Sequence, residues 1–265
     1  MSIETQSAEA LVYNLQSSPL GDLVAAGAED GSITLYKIAS DSTVPVQKLS
    51  YSSSAIFSIL FMDERIVAST HDGHLLVWKM GAGEYAFESS ISVFQGCINV
   101  ICEYKGDILC GCSDGRVRRV TMAGSTSMEC TAHKHGVTGV TVHKEYIITS
   151  GVDGSVKIWK DTDLSLLLEI KEHTKPVRDC KVCVNEYGSF IFATCADDGL
   201  LLIFTEEKDA PLKFAVDKHE IGAPCSKLAW TQLGYALAVG YGKGEVKVFA
   251  PAGPTEWKET PTILP

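Results

Sequence analysis

Between residues 150 and 160 the chain reads SGVDGSVKIWK, a polar turn around Asp153-Gly154 followed by an alternating run that ends in Trp159 and a lysine. The same pattern occurs at residues 69–79, STHDGHLLVWK. Alternation of apolar and polar positions over a short run predicts a half-buried β-strand. An Asp-Gly pair between two such runs predicts a hairpin turn, because glycine accepts positive φ without steric cost.

An Asp-Gly turn with an aromatic residue six positions after the Asp occurs at Asp30 with Tyr36, Asp72 with Trp78, Asp153 with Trp159 and Asp198 with Phe204. Asp114-Gly115 fits the pattern with Val120 in the aromatic slot, and Lys243-Gly244 with Phe249 is a copy that has lost the Asp. Successive turns lie 42, 42, 39, 45 and 45 residues apart. A constant step of about 40–45 residues is the period of β-propeller blades.

The fifth unit shows the predicted grammar. PVRDCKVCV is an inner strand, NEYGS a turn, FIFATCA a second strand, DDG a hairpin, LLLIFT a third strand, EEKDAP a loop and LKFAV a fourth strand. The strands are apolar on both sides, as expected when blades stack and bury both faces. LSLLLEIKEH at residues 164–173 is ambiguous by itself, and the period makes it a fourth strand plus loop. The expected fold is all-β: a single six-bladed β-propeller domain over residues 1–265, with units starting near Leu11, Ser54, Gly96, Gly136, Lys175 and Ala223.

Composition narrows the function. The 265 residues carry a formal net charge of −10. An acidic chain gains nothing from phosphate neutralisation, which argues against direct nucleic-acid binding, and anionic lipid would repel it. No apolar run approaches the ~20 residues needed to span a bilayer, so membrane contact is expected only through a partner. The first residues show neither a basic nor an apolar signal region. The nine cysteines, an odd count, are therefore expected to be reduced in the cytosol or nucleus.

The repeat resembles the WD-repeat family. That resemblance implies a hydrogen-bonded set in each blade: a His before the inner strand, the turn Asp, a Ser or Thr, and the Trp. The matching residues in the fourth unit are His133, Ser150, Asp153 and Trp159. The fifth offers His173, Thr194 and Asp198, but Phe204 has no hydrogen to donate. Rings of this family usually close by placing an N-terminal strand in the last blade. Here only about ten residues precede the first inner strand, and TEWKET at residues 255–260 looks like the sixth blade's own outer strand. Either six blades close alone or the ring is open.

Three stretches resemble the Sec-thirteen family more closely, the small WD-repeat subunit of the COPII outer coat and of the nuclear pore's Y-shaped scaffold. They are VKIWK with EHTKPVRDCKV at the fourth-to-fifth junction, CSDGRVRRV with TAHKHGVTGV, and the terminal KLAWTQLGYALAVGYGKGEVKVFAPAGPTEWKE. Pro176 departs from the Trp that the family carries before VRD. The resemblance implies an open propeller whose gap is filled by a blade donated from an α-solenoid partner, the larger COPII outer-coat protein or the corresponding nucleoporin. It also implies a cytoplasmic location at coated vesicles and the ER membrane periphery, and at the nuclear pore. Leu11, Tyr13 and Leu15 on the first inner strand, with Leu228 and Trp230 on the last, are the residues expected beside that gap. The alternatives are a related open-propeller nucleoporin and a WD-repeat adaptor that reads peptides on its top face.

Catalysis has no residue-level support. Cys180 and Cys183 lie three apart on a strand, so they point to opposite faces and do not share a metal. Cys110 and Cys112 share a face, but no second ligand pair accompanies them, and small core residues are the simpler reading. No nucleophile elbow, zinc-protease helix motif or phosphate loop is present, and no cofactor is expected. Arg116, Arg118 and Arg119 make a local basic spot, read as an edge salt bridge or partner contact.

Overall fold

Each predicted unit closes into a four-stranded antiparallel sheet in the computed structural model, which describes residues 10–39, 42–185 and 188–261. The fold divides into two compact units, Met1–Glu129 and Cys130–Leu264. The first holds three sheets: β1 (Val12–Ser17) to β4 (Thr43–Ser50), β5 (Ile56–Met62) to β8 (Tyr85–Ser92), and β9 (Ile98–Tyr104) to β12 (Thr126–Thr131). The second holds β13 (Val137–His143) to β16 (Leu166–Ile170), β17 (Val177–Val182) to β20 (Phe214–Glu220), and β21 (Cys225–Trp230) to β24 (Trp257–Thr260). Every sheet is built from four consecutive strands in order. The ambiguous segment at 164–173 contains β16, and TEWKET contains β24. No helix long and apolar enough to cross a membrane occurs among the described residues.

The turns explain the repeat. Asp30 Oδ1 accepts the Ser32 amide at 2.9 Å, and Asp114, Asp153 and Asp198 each accept the amide two residues on at 3.1 Å. This side-chain turn presents the next residue in the left-handed region. Gly31, after Asp30, has φ +81°, and a Cβ there would run into the Ser52 carbonyl oxygen, so only glycine fits. The sixth copy keeps its turn without the Asp. Glu245, from the other side, accepts the Lys243 amide at 2.6 Å.

Burial runs through the middle of the sheets. Ile33 and Leu35 of the first sheet pack on Ile56, Ile66, Leu76 and Trp78 of the second. Val67, Leu75 and Val77 of the second pack on Ile98, Ile108 and Val120 of the third. In the second unit Ile148 and Ile158 meet Phe192 and Phe204, while Leu201 and Ile203 meet Leu237, Val239 and Phe249. The expectation of two apolar faces therefore holds for the middle strands. The fourth strands differ: β16 alternates between exposed and half-buried positions, because an outer strand has no blade beyond it.

The glutamate and tyrosine of NEYGS, residues 186 and 187, and the first nine residues lie outside the described residues.

Candidate protein-interaction site

Two kinds of side chain determine what these blades can do: those that lock a blade, and those left on a face that no blade covers. The best-developed lock is in the fourth blade. The His133 ring meets Asp153 Oδ1 at 2.9 Å through Nδ1 and Thr149 Oγ1 at 2.8 Å through Nε2. The Trp159 indole donates to the same Thr149 oxygen at 2.9 Å. A carboxylate only accepts, so Nδ1 carries the proton and Nε2 accepts the threonine hydroxyl. The chain of donation runs Trp159 to Thr149 to His133 to Asp153, with the imidazole neutral. The close approach of His133 also needs Gly151, where a Cβ would lie 2.4 Å from the ring.

Ser150 is therefore not the hydroxyl of the set, contrary to the sequence expectation. Its Oγ lies 3.1 Å from Thr138 Oγ1 on the other side of the sheet. Adjacent strand residues point to opposite faces, and only Thr149 shares the face of His133 and Trp159. The signal was available in the spacing: Thr149 stands four before Asp153, as Thr194 stands four before Asp198. Replacement of Thr149 by Val is expected to destabilise the protein by about 1–3 kcal/mol, since it orphans two buried partners. Ser150→Ala, which leaves the set intact, is expected to cost less. Urea unfolding of the two variants makes the comparison.

In the fifth blade His173 reaches both Asp198 oxygens, at 3.2 and 3.1 Å, and Thr194 Oγ1 at 2.8 Å. Phe204 stacks on Phe192 at 4.5 Å and supplies packing where the indole hydrogen bond would be.

Burial pushes the pKa values of His133 and His173 down, against a smaller upward pull from their carboxylate partners. Burial works to raise Asp153 and Asp198, but it is outweighed by the Lys134 amide and Ser155 hydroxyl on Asp153, and by the Thr174 amide and His173 on Asp198. Both carboxyls end below their ordinary value. A depressed histidine contributes stability above its unfolded pKa of about 6.5, and a depressed aspartate above about 3.9. In each case the unfolded chain binds more protons, so stability falls as pH falls. Unfolding midpoints are expected to drop from pH 7 to 5 as the histidines are forced to charge, and further below pH 4 as the aspartates protonate. A His133→Gln variant should show a shallower first drop.

Cys97, Cys112 and Cys225 are not poised for chemistry. Burial pushes Cys97 and Cys225 up to about 11 and Cys112 up to about 12, so these thiols stay protonated. Cys180 and Cys183 go separate ways, the first towards the Ile148 carbonyl at 3.9 Å and the second towards the Gly234 carbonyl at 3.8 Å. Among the described residues no three His, Cys, Asp or Glu side chains form a metal-binding group. The basic spot is neutralised locally. Arg118 donates to both Asp114 oxygens at 3.1 and 2.6 Å, Arg116 to Glu129 at 2.8 Å and Arg119 to Asp107 at 2.7 Å. The groove of about 610 Å³ that contains Arg118 thus offers no free cation at that position.

The residues expected beside an open edge divide. Leu11 and Leu15 are 60% and 65% exposed. Tyr13, at the bulge between Val12 and Asn14, is 38% exposed and stacks on Phe57 of the second blade at 5.1 Å. Leu228 and Trp230 also face inwards. Leu228 is buried in the core shared with the fifth blade, and the Trp230 indole donates to the Lys181 carbonyl at 3.0 Å. A bulge between Cys225 and Lys227 again sets the faces. The opposite face of the sixth blade presents Ala229, Ala238, Val246 and Val248, which the strand register places together.

The family described as WD domain, G-beta repeat matches residues 2–37, 124–160 and 164–205. The chain spans 74% of the computationally designed Ika8 protein at 20% identity, over 94% of its own length, with a TM-score of 0.69, so the two share a fold. With its six four-stranded sheets, the chain is an all-β WD-repeat propeller. It is 23% identical to protein transport protein SEC13-2 of Candida glabrata over 75% of this chain and 77% of that protein. It is 25% identical to protein transport protein SEC13 homolog A of Arabidopsis thaliana, over 45% of this chain and 41% of the relative. The chain thus carries WD repeats and is similar to protein transport proteins of the Sec-thirteen type.

Proposed function

We propose that this protein is a non-catalytic scaffold subunit of the COPII vesicle outer coat, working in ER-to-Golgi protein transport from the cytoplasmic side, and that it also serves in the nuclear pore scaffold. On this reading its two units form one six-bladed propeller domain. The first and last blades leave an edge, and an α-solenoid partner donates the blade that fills it.

One observation carries the reading. The first sheet is β1 to β4 and the last is β21 to β24, each made only of consecutive strands, so among the described residues no strand is exchanged between the two. Exposed Leu11 and Leu15, and Val246 at 39% exposure, supply apolar surface for a partner. At ~25 cal/mol per Å², several hundred Å² would contribute many kcal/mol before binding costs are subtracted. The protein-transport relatives support the same role.

The test is co-expression with the large outer-coat subunit of the same organism, read by light scattering. A stoichiometric complex supports the coat reading, and two separate species overturn it.

A second reading, a peptide-reading adaptor, draws on Val184, Leu233 and Tyr235. These are exposed on two loops joined where Gly234 meets Cys183. Loss of partner binding on changing these loops, and not on changing the blade faces, would favour it.

A further inference from the structure

The residue before each hairpin turn is fixed by a backbone hydrogen bond to the inner strand of its own blade. The Glu29 amide donates to the Leu11 carbonyl at 2.9 Å, the His71 amide to Ala55 at 3.0 Å and the Asp197 amide to Pro176 at 3.0 Å. Two residues further along each inner strand comes its bulge, at Tyr13, Phe57 and Arg178. The bulged residue and the residue before the turn are neighbours. Arg178 donates to both Asp197 oxygens, at 2.8 and 2.5 Å, and the Phe57 ring lies 5.9 Å from that of His71. The same register sets Glu29 beside Tyr13.

The blades fill these two positions differently. The first and fifth carry a carboxylate before the turn, whereas the others carry His71, Ser113, Val152 and Gly242. In the fifth blade Arg178 neutralises Asp197. In the first the neighbour is a tyrosine, and among the described residues the Glu29 carboxylate has neither an ion pair nor a hydrogen bond. Tyr13 and Phe57 stack 12° from parallel, and His71 continues the row. Tyr13, His71 and Glu29 are exposed. The result is an open row of rings with an unpaired carboxylate at its end.

Ring faces attract cations, and so does the carboxylate. A single row is a platform rather than a cage, so it suits a flat cation. A guanidinium is planar, stacks on aromatic faces and donates two parallel hydrogen bonds to a carboxylate, as Arg178 does to Asp197. The chain has no arginine to spare. Its five arginines are all paired: Arg65 with Glu88, Arg116 with Glu129, Arg118 with Asp114, Arg119 with Asp107 and Arg178 with Asp197. A second copy would have to break one of these pairs, so the cation comes from a different protein. The net charge of −10 favours a basic partner.

We propose that Tyr13, Phe57 and Glu29 dock an arginine side chain of a partner protein, the guanidinium lying on the Tyr13 ring and pairing with the Glu29 carboxylate. The site goes beyond the coat reading. It uses none of Leu11, Leu15 and Val246, the apolar residues offered to the coat subunit, and it is tested without that subunit.

The experiment titrates the full chain, with isotope-labelled tyrosine and phenylalanine rings, by NMR. The probe is the acetylated, amidated peptide Gly-Ser-Arg-Ser-Gly, and its counterparts carry lysine or citrulline, the neutral isostere, in place of arginine. The arginine peptide is expected to shift the Tyr13 and Phe57 ring signals saturably, and to bind more weakly with added salt. The lysine peptide should bind about threefold more weakly, and the citrulline peptide should give no saturable shift. Glu29→Gln is expected to weaken arginine-peptide binding about fivefold, with Glu64→Gln, in the exposed turn at the other end of the second blade, unchanged. Tyr13→Phe should keep the binding and Tyr13→Leu lose it, read at the Phe57 ring, with thermal unfolding showing the variants folded. Absence of a saturable shift with the arginine peptide, an equal response to citrulline, or binding indifferent to Glu29→Gln overturns the proposal. A lysine peptide that binds as tightly overturns the choice of a guanidinium.

Discussion

Trp159→Ala is expected to cost about 3–5 kcal/mol of unfolding free energy, as a large buried truncation does. The side chain is nearly fully buried, and its indole donates to Thr149, which also bonds His133. Removal leaves both a cavity and an altered buried network. Val120→Ala provides the contrast. Val120 is as deeply buried, at the equivalent slot of the third blade, but loses only two methyl groups and no polar partner. At ~0.8 kcal/mol per buried CH₂ it should cost about 2 kcal/mol. Trp159→Phe separates the terms. It reproduces the Phe204 situation of the fifth blade, and should cost about 1–2 kcal/mol for the lost hydrogen bond. Guanidinium unfolding of the three variants gives the ranking. Equal midpoints for Trp159→Ala and Val120→Ala would refute the role assigned to the network.

The second large effect concerns binding. Leu15→Glu combined with Val246→Glu should weaken association with the coat subunit about thirtyfold or more, the scale of a 2 kcal/mol interface hot spot. Both residues are exposed, so the substitutions place charge on apolar surface without disturbing a core. Glu29→Lys, at an exposed turn, is the control for a general charge effect. Tyr13→Glu is less suitable, because Tyr13 stacks on Phe57 and its loss would damage the junction between the first two blades. Titration calorimetry reads the change, and unaltered affinity for the double variant would remove the blade faces from the interface.

The repeat was legible because its turns are local. An Asp that accepts an amide two residues on and a glycine with positive φ need only neighbouring residues, and strand alternation follows from the same short range. Where a side chain answers to a distant partner, the sequence was less clear. Thr149 rather than Ser150 was legible only in the four-residue spacing to Asp153 that Thr194 shares with Asp198, since neither hydroxyl by itself tells which face His133 occupies. Leu228 and Trp230 share a face, as alternation predicts, but alternation does not say which blade that face meets, and it meets the fifth rather than a gap. The replacement of a turn Asp by Glu245 was invisible because the compensating carboxylate comes from the opposite side of the hairpin.

The central claim is that an edge of this propeller waits for a partner's blade. Hydrogen exchange at the Leu15 amide and along β21, measured in the isolated chain and in its complex with the coat subunit, tests it most directly. The account predicts fast exchange at Leu15 in the isolated chain and strong protection in the complex. Strong protection in the isolated chain, unchanged by the partner, would mean the edge is already covered and would contradict it.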